Sequence, residues 1–371
     1  MKLIFISNNW ADAHQQTRLN SLLDYGISVE CLAVYRHYYP VHSRICPIIL
    51  GEIEHGFYKR RIKIYAQLFY NLRMRAKTLD KIYTYGFDLV LIVLLFKILS
   101  GRKVEIIYEI PDIRELFFSE SFTGKLIRRI EKLVIPRLDL LIVTSPEFVS
   151  EYLIGLRKIR IRSYLVIENK VHASETPTAF ELKEEKNDRI KIGYFGVLRC
   201  AASLHCLIKL AETNQFEIIL RGIFMPATGH FETRIKHLAN IKYLGPYRVP
   251  EDLAQIYHEA DVIWAAYPFS DTKLGNHRWA RTNRFYESLF FRRPMIVQKG
   301  STDAGNAQII GNFAIEIDLK NEFGVISHLC SMLNIEYLKS IKHAMHSIPE
   351  SHYQITDEYQ TLLKWLHQKN L

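Results

Sequence analysis

The chain lacks a hydrophobic run long enough to cross a bilayer. Its longest, Leu89 to Phe96, is broken by Lys97, whereas a spanning helix needs about 20 apolar residues. The opening "MKLIFIS" is too short for the apolar core of a signal peptide and has no cleavage pattern behind it. The expectation is a cytoplasmic chain, soluble or peripheral on the inner face of the cell membrane. Cysteine is scarce: five residues, scattered and odd in number, which argues for reduced thiols and against a disulfide frame. Cys200, His205 and Cys206 sit close together, but no second ligand pair accompanies them, so no metal is expected there. Sequence repeats and low-complexity segments are also missing.

What is present is a chain of 371 residues, beyond one comfortable core, which makes two domains the first expectation. A hydrophobic share of 48% with 24% charged residues is ordinary for a globular protein. The net charge of +10 is unevenly placed: residues 1–169 hold 25 Lys+Arg against 17 Asp+Glu, and the remainder 24 against 22. A basic excess confined to one half suits an acidic partner, either anionic lipid or nucleic acid; a solvated face is the plainer alternative. No nucleic-acid motif accompanies the charge, and the basic residues are not interleaved with aromatics in a known pattern. Nucleic acid is therefore not an expected partner.

Strand and helix signals alternate along the chain. "KLIFIS" reads as a strand, and "TRLNSLLDYGISVECLAVYR" as a helix ended by Gly26 and a second strand. "FDLVLIVLLF" and "KVEIIYEI" are apolar runs typical of buried parallel strands. "SFTGKLIRRIEKLVIPRLDLLIVTS" is a helix running into a strand. After the polar, charged "ETPTAFELKEEKNDR" the pattern restarts at "IKIGYFGVL" and repeats through a helix at 205–213, "FEIILRG", "NIKYLGPY", "EDLAQIYHEAD" and "VIWAAYP". Such alternation predicts parallel sheets covered on both faces. The expected layout is an α/β protein with two Rossmann-like doubly wound domains facing a cleft. Residues 1–170 form the first, 171–189 a linker and 190–345 the second. Residues 346–371 form a helix returning toward the N-terminal domain, with Ile355, Tyr359, Leu362 and Leu366 on one face.

One stretch, "RTNRFYESLFFRRPMIV" at 281–297, asks for an explanation. Its helix is greasy with Phe285, Leu289, Phe290 and Phe291, yet carries Arg284 and Glu287 one turn apart. Residues at i and i+3 share a face, and a helix N-terminus attracts phosphate; the alternative is an internal ion pair. A second stretch, "GFYKRRIKIYAQLFYNLRMRAKTLDK", sets Lys59, Arg60, Arg61, Lys63, Arg73, Arg75, Lys77 and Lys81 against a single Asp80. Its Ile62, Tyr65, Ala66, Phe69 and Leu72 recur at helical spacing. A basic amphipathic helix of this kind suits an anionic membrane surface, with Lys59, Arg60, Arg61 and Lys63 as the contacts. The alternative packs the apolar stripe on the N-terminal sheet.

Several blocks, in order across nearly the whole length, resemble the GT-B glycosyltransferases that build bacterial surface polysaccharides from sugar nucleotides. They are "RLNSLLDYGISVECL", "IEKLVIPRLDLLIVTSPEFVSEYL", "VIENKV", "IGYFGVLR", "LAQIYHEADVIWAAYP" and "TNRFYESLFFRRPMIV". The resemblance implies transfer of a sugar from a nucleoside-diphosphate sugar, a UDP-sugar above all, to a lipid-linked or oligosaccharide acceptor, without a cofactor or bound metal; the absence of a paired-aspartate motif fits. It assigns the ribose hydroxyls to Glu287 and the diphosphate to Arg284, with Asn283 at the start of the same helix and Gly196 and Arg199 in the loop of "GVLRCAAS". Arg281 is a further cation at hand.

The chain departs from the family at several places. Ala280 stands where relatives often have a second Glu, Val197 follows Gly196 where many carry Arg, and the first loop, "SNNWADAHQQ", has no glycine. In "YEIPDIREL", Pro111 and Asp112 occupy the place of a His-Asp pair. Asp112 follows a strand's carboxyl end, where a catalytic group belongs, and is the candidate base; capping the next helix is its alternative role. Glu109 and His14 are further candidates. Rival functions are a sugar-nucleotide epimerase of the same architecture, a non-catalytic sugar-nucleotide binder and a nucleic-acid binder.

Overall fold

The computed structural model describes residues 2–36, 43–53, 61–173, 176, 189–269 and 275–368. The chain forms two compact units, Met1–Glu168 with Asp357–Leu371, and Asn169–Thr356.

Unit 1 is built on seven parallel strands: β1 (Leu3–Ser7), β2 (Val29–Tyr35), β3 (Ile48–Glu52), β4 (Lys81–Tyr85), β5 (Glu105–Ile110), β6 (Leu140–Val143) and β7 (Tyr164–Val166), in the order β3-β2-β1-β4-β5-β6-β7. β1, β4 and β6 are buried along their whole length, as strands covered on both faces must be. The order reverses between β1 and β4, and such a switch point is where a doubly wound sheet opens its ligand crevice. Gly86, just after β4, has φ +84°, and a Cβ there would lie 2.8 Å from Asn8 Nδ2. Only glycine lets the two loops at the switch approach this closely. Helix α1 (Ala13–Asp24) begins at Asp12, whose side chain accepts from the Gln15 N–H.

Two sequence readings are corrected here. "FDLVLIVLLF" is not a strand but the start of helix α3 (Phe87–Ser100). A run that is apolar everywhere but at Asp88 carries almost no period to separate the two states. What decides is the neighbouring "KIYTY", which fills the sheet as β4, and Gly101 in the left-handed region, which ends a helix of four turns. The second correction concerns α2 (Arg61–Arg75). Its buried residues are Arg61, Ile64, Leu68 and Leu72, a face turned toward α3; of the expected stripe only Leu72 is buried, Tyr65 and Phe69 are half-buried, and Ala66 and Ile62, the latter 69% exposed, face outward. Arg61, expected on lipid, is buried and ion-paired with Asp88, to which Tyr65 Oη also donates at 3.0 Å. Lys63 is exposed; Lys59 and Arg60 lie outside the described residues.

Helix α4 (Phe122–Val134) starts at Ser121, which caps Gly124 N–H, and a π-helical segment, Phe148–Leu156, follows β6. Unit 1 is completed by helix α12 (Glu358–His367), which buries Tyr359, Leu362 and Leu366. Arg18 Nη1 donates to Tyr359 Oη at 2.6 Å, and Lys81 Nζ lies 4.4 Å from the Trp365 ring centre. Ile355 is not part of that face: its N–H donates to the Val171 carbonyl in unit 2.

Unit 2 holds six parallel strands, β8 (Ile190–Leu198), β9 (Phe216–Phe224), β10 (Ile241–Tyr243), β11 (Val262–Ala265), β12 (Met295–Gln298) and β13 (Ala314–Ile317), in the order β10-β9-β8-β11-β12-β13. Its switch falls between β8 and β11. Around the sheet lie α5 (Ala201–Glu212), α6 (Gly229–Ile235), α7 (Leu253–His258), α8 (Asn283–Phe290), α9 (Thr302–Ile310), α10 (Glu322–Met332) and α11 (Ile335–Met345). Among the described residues no helix is long and apolar enough to cross a membrane.

Candidate functional site

In unit 2 the end of β8 and the start of α8 meet. Gly196 adopts φ +104°, and a Cβ on it would fall 3.2 Å from Arg284 Nη1. Glycine therefore both permits the backbone turn and leaves the gap through which Arg284 reaches. The guanidinium donates to the Phe195 carbonyl and to Tyr267 Oη. It lies 5.2 Å from the Tyr267 ring centre and 5.6 Å from that of Tyr194, close enough for cation–π attraction. This fixes a permanent positive charge at the mouth of the strand.

Glu287 lies one turn further, 8% exposed, with Tyr257 Oη donating to its Oε2 at 2.5 Å. Burial pushes its carboxyl above the usual range, opposed by that hydrogen bond and by the charge of Arg284. Among the described residues Arg284 and Glu287 form no ion pair with each other, so the internal-pair alternative falls. No side chain caps α8: Thr282 at the cap position instead donates its N–H and hydroxyl to Asp303, at 3.2 and 2.7 Å. Burial raises Asp303 to about 7, against the Thr282 hydrogen bonds and the nearby Arg281 and Arg284. The first N–H groups of α8 thus keep no capping partner, the usual arrangement for receiving an anion. Asn283 is exposed, and its Oδ1 accepts from Asn169 Nδ2 at 2.9 Å.

Sequence reading missed His277. Its ring stacks on Tyr267, centres 4.1 Å apart at 11°, and Arg199 Nη2 approaches its Nε2 to 3.3 Å. Burial, then the Arg199 and Arg284 charges, lower its pKa to about 3, so the ring is neutral. Arginine only donates. Nε2 is therefore the acceptor, and the proton sits on Nδ1, a buried atom without a partner. Nothing in "LGNHRWA" marks this histidine, because its partners come from 199 and 267. Arg199 itself is exposed.

In unit 1, Glu109 is fully buried on β5. It accepts from His14 Nε2 at 2.7 Å, from Arg18 Nε and Nη2 at 3.0 and 2.8 Å, from Tyr85 Oη at 2.6 Å, and from Tyr83 Oη. Burial would raise this carboxyl, but Arg18 and then His14 outweigh it and hold it well below the carboxylate range. With both oxygens occupied and no exposure, Glu109 cannot serve as the base that the sequence suggested. It orients His14, which keeps 17% of its side chain exposed, at the start of α1 beside the switch point.

Asp112 is exposed, two residues past the end of β5. The 3-10 turn that follows, Glu115–Phe118, has Arg114 at its cap position. Among the described residues no group of His, Cys, Asp or Glu is arranged to hold a metal ion.

No protein-family model matches the chain. It is 30% identical over 319 residues to the succinoglycan biosynthesis protein ExoL of Rhizobium meliloti (strain 1021), covering 82% of this chain and 78% of that one. Among solved structures, HepE of Anabaena in complex with UDP and glucose has a TM-score of 0.68 at 14% identity, covering 99% of each chain. WaaG, a glycosyltransferase involved in lipopolysaccharide biosynthesis, has a TM-score of 0.68 at 11% identity, over 99% of this chain and 100% of that one. Both structures share the two-domain architecture of parallel sheets.

Proposed function

The chain belongs to the GT-B glycosyltransferases of bacterial surface-polysaccharide synthesis, and from that premise we propose that it moves a sugar from a UDP-sugar to a lipid-linked or oligosaccharide acceptor. In this reading unit 2 binds the donor and unit 1 the acceptor, at the inner face of the cell membrane. The observation that carries the donor assignment is Arg284 threaded past Gly196 onto the Phe195 carbonyl, with Glu287 one turn behind it.

Transfer breaks the bond between the sugar's anomeric carbon and the diphosphate oxygen. The electron pair leaves with the diphosphate, the acceptor oxygen bonds to carbon, and its proton goes to a base. Arg284, Arg199 and the uncapped N-terminus of α8 meet the charge that develops on the departing diphosphate. Glu287 accepts the ribose hydroxyls; its buried, proton-favouring carboxyl gains from each donor a ligand supplies. His277, neutral, offers Nδ1–H to a phosphate or sugar oxygen. Asp112, exposed past β5, takes the acceptor's proton. The hydrogen bond to Glu109 makes His14 the second candidate for that step.

A panel of nucleotide sugars read by thermal shift, followed by turnover with and without acceptor, tests the function. UDP-sugar stabilisation that Glu287→Ala removes, with acceptor-dependent turnover, is the expected result. Turnover of the donor without any acceptor would identify an epimerase instead, and stabilisation with no turnover a non-catalytic binder. Asp112→Asn should lower turnover roughly 10²–10⁴-fold with donor affinity kept. A normal rate in that variant, with the loss appearing in His14→Asn, would move the base to His14.

A further inference from the structure

A run of buried hydrogen bonds joins the last helix of the chain to the first. On α12, Tyr359 is buried, and its Oη accepts from Arg18 Nη1 at 2.6 Å. Arg18, buried on α1, turns its other edge to Glu109: Nε donates to Oε2 at 3.0 Å and Nη2 to Oε1 at 2.8 Å. Oε1 also accepts from His14 Nε2 at 2.7 Å. Tyr359, Arg18, Glu109 and His14 thus stand in one line, and of the four only His14 keeps part of its side chain exposed.

Neutralising Glu109 does not require a line of this length. The two parallel bonds from Arg18 answer the carboxylate, and Tyr83 and Tyr85 add their hydroxyls at Oε2. What Tyr359 adds is direction. A guanidinium is a rigid plane. A bond at Nη1, with the Ile167 carbonyl accepting from Nη2 at 3.3 Å, therefore sets the tilt of the fork that Glu109 must meet. The fork sets the carboxylate plane, and that plane aims Oε1 at the imidazole. Tyr85 meets the same ring edge-on, centres 6.0 Å apart at 87°. Glu109, held ionised, only accepts. The proton of His14 accordingly sits on Nε2, and in the neutral ring Nδ1 keeps the lone pair. A fixed tautomer in a fixed orientation is what proton transfer asks of a base, where a misplacement of about 1 Å can cost 10²-fold.

We propose that α12 is a working part of unit 1, in which Tyr359, through Arg18 and Glu109, is a positioning residue for His14, whose Nδ1 takes the proton of the acceptor's hydroxyl. That proton leaves the oxygen as its bond to the anomeric carbon forms. Nε2–H stays on Glu109, whose charge then faces the imidazolium produced. This deepens the reading above, in the form that makes His14 the base, and rests on it. Its new member is Tyr359, 341 positions along the chain from Arg18.

The test is acceptor-dependent turnover of the full chain in Tyr359→Phe, in His14→Asn and in the two combined, with donor KM measured beside kcat. Tyr359→Phe removes one hydroxyl and keeps the ring beside Tyr25, centres 5.9 Å apart. Its kcat should fall roughly 2–10-fold, the worth of one hydrogen bond, with donor KM kept. In the His14→Asn background the same change should cost nothing further, because its effect passes through the ring. Arg18→Lys keeps a charge beside Glu109 but not the fork, and should show the same pattern with a larger loss; it carries the test if Tyr359→Phe does not fold. Long-range ¹H–¹⁵N spectra of the imidazoles read the ring without turnover: His14 should be a single Nε2–H form in the wild type and a mixture with Nδ1–H in Tyr359→Phe. A loss that persists in full beside His14→Asn, or one matched by a rise in donor KM, would make Tyr359 a packing residue and overturn the proposal. Normal turnover in His14→Asn with the loss confined to Asp112→Asn would overturn it too, while leaving the glycosyltransferase reading in place. A wild type without acceptor-dependent turnover would take down that reading and the proposal together.

Discussion

Two buried glutamates, one in each unit, have been put to opposite uses. Glu109 and Glu287 both sit beside an arginine and accept from tyrosine hydroxyls. Glu109 is surrounded by four donor residues and held far below the usual carboxylate range. Glu287 has one hydrogen bond and is pushed up. A buried charge is tolerable when every lone pair is used, and Glu109 meets that condition, so it serves the fold. Glu287 is left short of donors in a site that also keeps an uncapped helix N-terminus and the unpartnered Nδ1 of His277. Incomplete satisfaction at several groups facing one place is the mark of a ligand that supplies the rest.

The sharpest way to break this contrast is to remove a partner from each glutamate. Arg18→Met strands Glu109 as an unpaired buried charge and should cost about 3–5 kcal/mol of unfolding free energy, read from urea denaturation. A loss below about 1 kcal/mol would mean the network contributes little to the fold. Glu287→Ala should do the reverse: little change in stability, and a loss of about 1.5–3 kcal/mol in UDP-sugar affinity. A folded variant with unchanged donor affinity sinks the assignment.

Glu109 in unit 1 and Asp303 in unit 2 should also answer pH with opposite sign. Glu109 is lowered on folding, so its stabilisation is present above the unfolded carboxylate range and is lost as the solution is acidified through and below about pH 4. Asp303 is raised to about 7. Between about pH 4 and 7 the unfolded chain gives up this proton and the folded chain keeps it, so stability falls as pH rises through that window. Asp303→Asn should therefore gain on the wild type in melting temperature as pH increases from about 4 to 7. A constant difference across that range would contradict the buried, protonated state.

The smallest effect is expected at the rim. His277→Phe keeps a ring against Tyr267 but removes Nδ1–H, and should weaken donor binding by about 0.5–1.5 kcal/mol. Arg199→Ala should weaken UDP more than uridine. Equal losses for both ligands would deny Arg199 a phosphate role.

The halves of this comparison differed in how plainly the sequence showed them. Arg284 and Glu287 stand three apart on one helix beside a greasy face, a local pattern that names its own geometry. Glu109 looked equally suitable as a base, because its five neighbouring atoms come from His14, Arg18, Tyr83 and Tyr85, strands and helices away. Asp88 likewise captures Arg61 from 27 residues distant, which turned an expected membrane contact inward. The β/α alternation was legible wherever polar punctuation separated the runs. It failed at "FDLVLIVLLF", where every side chain over three turns but Asp88 is apolar.

The return of α12 to unit 1 bears on how the protein is made. Residues Asn169–Thr356 intervene between the two parts of that unit. At roughly 5–20 residues per second of synthesis, they take on the order of 10–40 s to emerge. During that interval the N-terminal sheet exists without the helix that covers Arg18 and Lys81, and at its end the C-terminal unit is complete in sequence while that helix is still to come. The second half of the nascent chain can therefore finish folding before the first. The early sheet waits with one flank uncovered, the stretch of its life in which a chaperone has most to bind.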